Sequence, residues 1–328
     1  PASNHDWLYL LLFSLLFFAA TLFFSLRPGK ILTYVGKILT PCFLAFLAIL
    51  VVVTMVNPTT RIAAVEPQGA YAAQPFFTGF LEGYNTMDAL AGLAFGIVVI
   101  NVVRSTGIRQ PEDVAKNTAK AGIFSCLFMG VIYYFITLIC TQSASLCANC
   151  ANGGEVLGTI ATYYFHSVGS YLTAAIVTFA CLKTAIGLVT SCSEAFVQMF
   201  PKGPKYPAWA VIFCIAAFGI ANFGLSTIVA WCVPVLMFVY PLAITLILLA
   251  LTEKWFGGSK QVYVCTTAFT LVAASFDLLG TLAGMIPQSS FLAAVKTIGT
   301  QYIPLYSLGM GWIVPALIGF AVGMILRG

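Results

Sequence analysis

The sequence predicts an all-α, polytopic membrane protein with about nine transmembrane helices. Two observations carry that prediction. Of 328 residues, 60% are hydrophobic and only 8% charged, and the hydrophobic residues fall in continuous runs of membrane-spanning length. A soluble domain carries about 25% charged residues, so this chain has too little charge to solvate a surface of its size. The same shortage excludes a disordered chain, a coiled coil and a nucleic-acid partner. The runs are apolar throughout rather than alternating, which selects helices over the strands of a membrane barrel.

The runs, in chain order, are span A at 7–26, B at 38–56, C at 76–103, D at 121–141, E at 168–199, F at 208–223, G at 226–252, H at 262–286 and I at 305–326. A short amphipathic stretch at 153–166 reads as an external surface helix leading into E. The segments 201–207 and 222–226 read as tight turns, and Pro234, Pro241 and Pro315 as kinks within G and I. Positive charge orients the set. Arg27, Lys30, Lys37, Arg104, Arg109, Lys116, Lys120, Lys202, Lys205, Lys254, Lys260 and Arg327 all fall on one side, against Arg61 and Lys296 on the other. The richer side is cytoplasmic, so the C-terminus faces the cytoplasm and the N-terminus the outside. The chain opens Pro1-Ala2-Ser3 with no basic region ahead of the first apolar run, which does not read as a signal peptide. A carrier with both ends cytoplasmic has an even number of spans, so an odd number of helices is expected ahead of span A.

Span C does not read as an ordinary helix. Its middle carries Glu82, Gly83, Asn85, Thr86 and Asp88 within an apolar run, and an acid at that depth costs at least ~2.5 kcal/mol unless it faces a cavity or a partner. Gly83 permits unwinding, and Asn85, Thr86 and Asp88 suit a new N-cap. The expectation is a helix broken near 83–86, whose free backbone groups meet a zwitterion or an ion. A polar kink buried by neighbouring helices is the plainer alternative. Span E carries Ala180, Lys183 and Thr184 at i, i+3 and i+4, on one face, continued by Gly187 and Ser191. A lysine this central lowers its pKa, pairs with an acid or stands in for a bound cation. Asp277 of span H could pair or cap. Most of the ten cysteines sit in apolar runs and act as small hydrophobes. Cys147 and Cys150 form a CxxC pair in a polar loop, without the second pair or histidine cluster that a metal or redox centre needs. No HExxH or GxSxG sequence occurs, and both histidines, His5 and His166, lie outside the spans, so no constellation at one depth supports an enzyme.

These residues carry a resemblance. The stretch Gly83-Tyr84-Asn85-Thr86-Met87-Asp88-Ala89-Leu90-Ala91 with Phe95-Gly96-Ile97-Val98 resembles the signature of the branched-chain amino acid:cation symporters. So do Ser25-Leu26-Arg27-Pro28-Gly29-Lys30, Val35 to Pro41, Ala180-Cys181-Leu182 with Thr184 to Leu188, Asn222 with Gly224-Leu225-Ser226, and Pro234-Val235-Leu236 with Tyr240-Pro241. The matches run in order along the whole chain. The resemblance implies a single transmembrane transporter domain over 1–328, within a leucine-transporter-like fold of five-plus-five inverted repeats and twelve spans. Spans A to I then correspond to the fourth through twelfth helices, with the first three lacking. It implies a carrier, not an enzyme, in the bacterial cytoplasmic membrane. That carrier imports leucine, isoleucine or valine with a sodium ion or proton by alternating access; another neutral amino acid is the alternative substrate. Its partners are the small amino acid and the lipid bilayer, and no cofactor beyond a possible sodium ion is implied. Gly83, Tyr84, Asn85, Thr86, Met87 and Asp88 would form the substrate site. Ala180, Lys183 and Thr184 match the cation-coupling positions. The second of these offers a hydroxyl in sodium-binding relatives, whereas Lys183 cannot coordinate a cation.

Overall fold

Every regular element among the described residues is a helix. The computed structural model describes residues 6–26, 30–286 and 288–327. Arg27, Pro28 and Gly29 of the first basic loop, and the opening Pro1-Ala2-Ser3, lie outside them. In order come α1 (Asp6–Ser25), α2 (Lys30–Val56), the single turn α3 (Ala70–Ala73), α4 (Pro75–Asn85), α5 (Asp88–Ser105), α6 (Pro111–Gln142) and α7 (Gly153–Met199). Then follow α8 (Tyr206–Ala221), α9 (Leu225–Leu251), the turn α10 (Glu253–Phe256), α11 (Lys260–Met285), α12 (Ser290–Tyr302) and α13 (Ile313–Ile325).

Among the described residues five helical stretches are long and apolar enough to cross a membrane: Trp7–Ser25, Pro111–Gln142, Gly153–Met199, Leu225–Leu251 and Lys260–Met285. Spans B, F and I are represented by shorter apolar helices, Thr40–Val56, Tyr206–Ala221 and Ile313–Ile325. Span C is cut into α4, of 11 residues, and α5, of 18.

Local chemistry sets the ends. Helix α6 starts ten residues earlier than hydropathy predicts for span D, because Pro111 opens it and Glu112 and Asp113 occupy its first turn. Lys116 and Lys120 therefore sit on a helix rather than in a loop. Helix α7 starts with reciprocal capping: Asn152 Oδ1 accepts from the Glu155 amide at 3.1 Å, and Glu155 accepts from the Ala151 amide at 2.9 Å. Span I is shorter than its apolar run. Leu305 and Gly309 take positive φ (64° and 68°) around a 3₁₀ turn, Tyr306–Leu308, and helix resumes only at Ile313. Pro315 thus falls in the first turn of α13, where its missing N–H costs nothing and no kink arises. The segment between spans H and I, unassigned by the apolar runs, folds as α12. Its buried Leu292, Val295 and Gly299 lie at helical spacing.

The chain divides into two compact units, residues 1–66 with 93–226 and residues 67–92 with 227–328. In the first, α2, α6 and the start of α7 enclose a core of Phe46, Leu50, Val51, Ile139, Ile160, Ala161 and Ile176. A second core, Val189, Ala210 and Cys214, joins α7 and α8. The predicted surface helix and span E are continuous in α7 except at His166, whose backbone (φ 52°, ψ −144°) is not helical. In the second unit α11 packs against both α12 and α13. Gly319 and Gly323 make the α11–α13 approach possible. A Cβ on Gly319 would lie 2.8 Å from the Cys265 carbonyl oxygen, and one on Gly323 2.6 Å from the Val262 Cα. Small residues four apart seat one membrane helix on another in this way.

Candidate functional site

Helix α4 ends at Asn85 and α5 begins at Asp88, so span C is broken, but not at Gly83. Gly83 is helical, and its carbonyl accepts from both the Thr86 amide (3.3 Å) and the Thr86 hydroxyl (2.8 Å). The Met87 amide bonds to the Tyr84 carbonyl at 3.1 Å, tightening the last turn of α4. Met87 then takes the left-handed conformation, φ 60°, and its carbonyl accepts the first bond of α5 from Ala91 at 2.9 Å. Met87 therefore holds the cap position expected of Asn85 or Thr86. The Thr86 hydroxyl competes for the Gly83 carbonyl at the helix end, while Asn85 Nδ2 donates to Glu82 Oε2 at 2.7 Å within the last turn of α4. The amides that open α5 have no helical carbonyl behind them.

The six predicted substrate residues separate by environment. Gly83, Thr86 and Met87 are exposed, Asn85 and Asp88 are half-buried, and Tyr84 is buried. Tyr84 belongs to the core of the second unit with Leu236 and Tyr240, and its ring stacks on Tyr240 at 4.4 Å and 8°. The Tyr240 hydroxyl lies within electrostatic reach of Asp88 and near the Ala89 amide. Sequence reasoning gave Tyr240 only as part of a motif with Pro241 that carries the family resemblance, not for this place, and did not mark Trp312.

In the first unit, Lys183 is half-buried and donates to Thr40 Oγ1 of α2 at 2.8 Å. Its partner is a hydroxyl rather than an acid. Thr184 Oγ1 donates to the Ala180 carbonyl at 3.1 Å, so the other two coupling positions are bonded to each other. Gly187, one turn on, meets Phe95: a Cβ there would lie 2.7 Å from the ring.

Cys147 and Cys150 are free thiols beside the first turns of α7, with Cys150 Sγ 3.6 Å from Thr159 Oγ1. Burial, with the neighbouring Cys150, pushes the Cys147 thiol up to about 11, which disfavours the thiolate that metal or redox chemistry uses. No group of three metal-ligating side chains occurs among the described residues.

Long apolar helices, beside an apolar run interrupted at a polar sequence, define a multi-pass helical membrane protein. The chain matches, over residues 2–328, the family model described as branched-chain amino acid transport protein, and it belongs to that family. It is 49% identical over 313 residues to the branched-chain amino acid permease BrnQ of Lactobacillus delbrueckii subsp. lactis, covering 95% of this chain and 69% of the relative. It is 36% identical to BrnQ of Bacillus subtilis (97% and 70% covered) and 32% identical to BrnQ of Escherichia coli (99% and 71%). No solved structure matches it.

Proposed function

We propose that this protein is a secondary active transporter that carries leucine, isoleucine and valine into a bacterial cell, driven by a cation and working by alternating access. The observation that carries this reading is the break at Thr86–Met87 in a chain whose family and relatives are named for branched-chain amino acid transport. A broken helix presents amides at one half and carbonyls at the other, which suits the carboxylate and the ammonium of one amino acid. Gly83, Thr86 and Met87, exposed at the break, are the groups that meet it, with Asn85 and Asp88 beside them. Tyr84 acts from within the core rather than by direct contact.

In this reading the chain crosses the bilayer nine times, α4 and α5 together making one crossing, within a five-plus-five repeat and with a cytoplasmic C-terminus. The support is the nine apolar runs and the segregation of basic residues to one side. The ammonium of Lys183 takes the place a sodium ion fills in sodium-coupled carriers. Its bond to Thr40 and the mutual bond of Ala180 and Thr184 favour that assignment.

The test is uptake of labelled leucine by the protein in liposomes, with sodium and proton gradients imposed separately and unlabelled amino acids as competitors. Competition by isoleucine and valine is expected. Uptake that neither inhibits would overturn the substrate assignment, and strict sodium dependence would overturn the role of Lys183.

A further inference from the structure

Among the described residues of the second unit, three buried side-chain polar atoms have no hydrogen bond of good geometry: Tyr84 Oη, Tyr240 Oη and Trp312 Nε1. Buried groups of this kind are almost always paired, and here they converge. Tyr84 stacks on Tyr240. The Trp312 indole N–H lies near the Tyr84 hydroxyl without forming a hydrogen bond of good geometry. The Asp277 carboxylate, on the middle of α11 and only 9% exposed, is within electrostatic reach of the Tyr84 and Tyr306 hydroxyls. Among the described residues no side chain hydrogen-bonds or ion-pairs with that carboxylate; Thr281 donates to the Asp277 backbone carbonyl instead.

The groups around Asp277 decide what it binds. Tyr84 of α4 and Tyr306 of the 3₁₀ turn lie within electrostatic reach of it, the Tyr306 hydroxyl already given to the Phe276 carbonyl at 2.9 Å; Trp312 shares a core with Ala273, one turn before Asp277, and Tyr240 is stacked on Tyr84. Lys296 and Tyr302, the titratable residues of α12, are exposed, and Asp88 lies towards Tyr240. No cationic side chain faces it among the described residues. An indole N–H is a donor only, so it repels a metal cation and welcomes an anion. A carboxylate with hydroxyl and indole donors waiting, and no counter-ion, is built to exist both neutral and charged.

We propose that Asp277 carries the coupling proton, with Tyr84 and Trp312 as the donors that receive its carboxylate when the proton leaves. The proposal rests on the carrier reading above. One proton binds a carboxylate oxygen from water on the outer side and is released to water on the inner side, and no other bond changes. In the neutral form Asp277 carries an O–H donor but no charge, so it can sit in this half of the protein without a counter-ion. In the charged form it draws the Tyr84 hydroxyl, which in turn accepts from Trp312. Tyr84 is three residues before Met87, so the protonation state acts on the last turn of α4 and on the break.

The test compares wild type, Asp277→Asn and Asp277→Glu in liposomes, with two transport readouts. Asp277→Asn is expected to lose about tenfold or more of leucine accumulation driven by a proton gradient, the size of an ordinary coupling free energy, while gradient-free leucine exchange stays within about twofold and loses its pH dependence. Asp277→Glu restores part of the driven uptake. Wild-type accumulation by Asp277→Asn, or equal loss of exchange and accumulation in a monodisperse variant, overturns the proposal. A third readout does not need transport. Infrared difference spectra between acid and alkaline pH show a protonated-carboxyl band that Asp277→Asn removes, and an unchanged band overturns the assignment. Absence of leucine exchange in wild type would instead count against the carrier reading.

Discussion

Two helices of this protein are interrupted by a residue other than glycine in a conformation that glycine prefers: Met87 between α4 and α5, and His166 within α7. The interruptions have opposite surroundings. After His166 the chain folds straight back onto its own first segment, and Gly169 lies so close that a Cβ would sit 2.2 Å from the Ala161 carbonyl. The segment 153–165 is held by Ile160 and Ala161 in the core and by Tyr164, whose hydroxyl donates to the Asn57 carbonyl at 2.5 Å. Around Met87, by contrast, Gly83, Thr86 and Met87 are exposed, and nothing lies within 4 Å of a Cβ built on Gly83. The same backbone device makes a closed corner in one place and an open one in the other. The flanking residues decide which: apolar and small around His166, polar around Met87.

The largest effect is expected at the closed corner. Gly169→Ala drives a methyl group into backbone and should cost about 3 kcal/mol, read as a fall in thermal stability of the purified protein. At the open corner, Asp88→Asn removes a charge from the start of α5. A charge there contributes up to about 2 kcal/mol to the helix start in a partly buried setting, so stability to melting should fall by no more than that, and leucine uptake should fall about tenfold because Asp88 stands beside the break. His166→Gly relieves left-handed strain and should gain about 1 kcal/mol, leaving uptake unchanged. A large loss of uptake would mean the α7 corner is not merely structural.

Gly83→Ala should stabilise by about 0.5–1 kcal/mol, since α4 is helical there and space is free. It should nevertheless slow uptake, because the methyl group enters the exposed face of the break. Rising stability with unchanged uptake would remove Gly83 from the site. The smallest effect concerns Cys147. Burial favours its neutral thiol, so the folded protein keeps this proton up to about 11, above the about 8.5 of a free thiol. The thiol's share of stability is therefore held at neutral pH and lost as pH rises through that range. Maleimide labelling of Cys147 should be slow at pH 8 and accelerate towards 11. In Gly169→Ala, where 153–165 loosens, labelling at pH 8 should quicken.

Much of this was legible in the sequence, for a physical reason in each case. Hydropathy reports transfer into lipid, so the long helices α1, α9 and α11 correspond to apolar runs within a few residues, while α6 and α7 begin well ahead of theirs. The switch from amphipathic to apolar character located the joint at His166. The break in span C was legible as polar residues in an apolar run, expected near 83–86; it falls at its C-terminal edge, Thr86–Met87, with Gly83 itself helical. Partners far apart in the chain were not legible. Nothing local ties Lys183 to Thr40, 143 positions away, or assembles Tyr84, Tyr240, Asp277 and Trp312. Asp277 stood out as an acid in a span, but its setting is a product of packing.

The glycines of α13 have a mechanical consequence. With Gly319 and Gly323 pressed on the backbone of α11, the two helices have no room to slide past one another, and they behave as one lever with Asp277 on one arm and Trp312 at the end of the other. Any tilt of that lever carries acid and indole together. Tyr84, mounted on α4 beside the break, is then the hinge pin on which the two can be engaged or released.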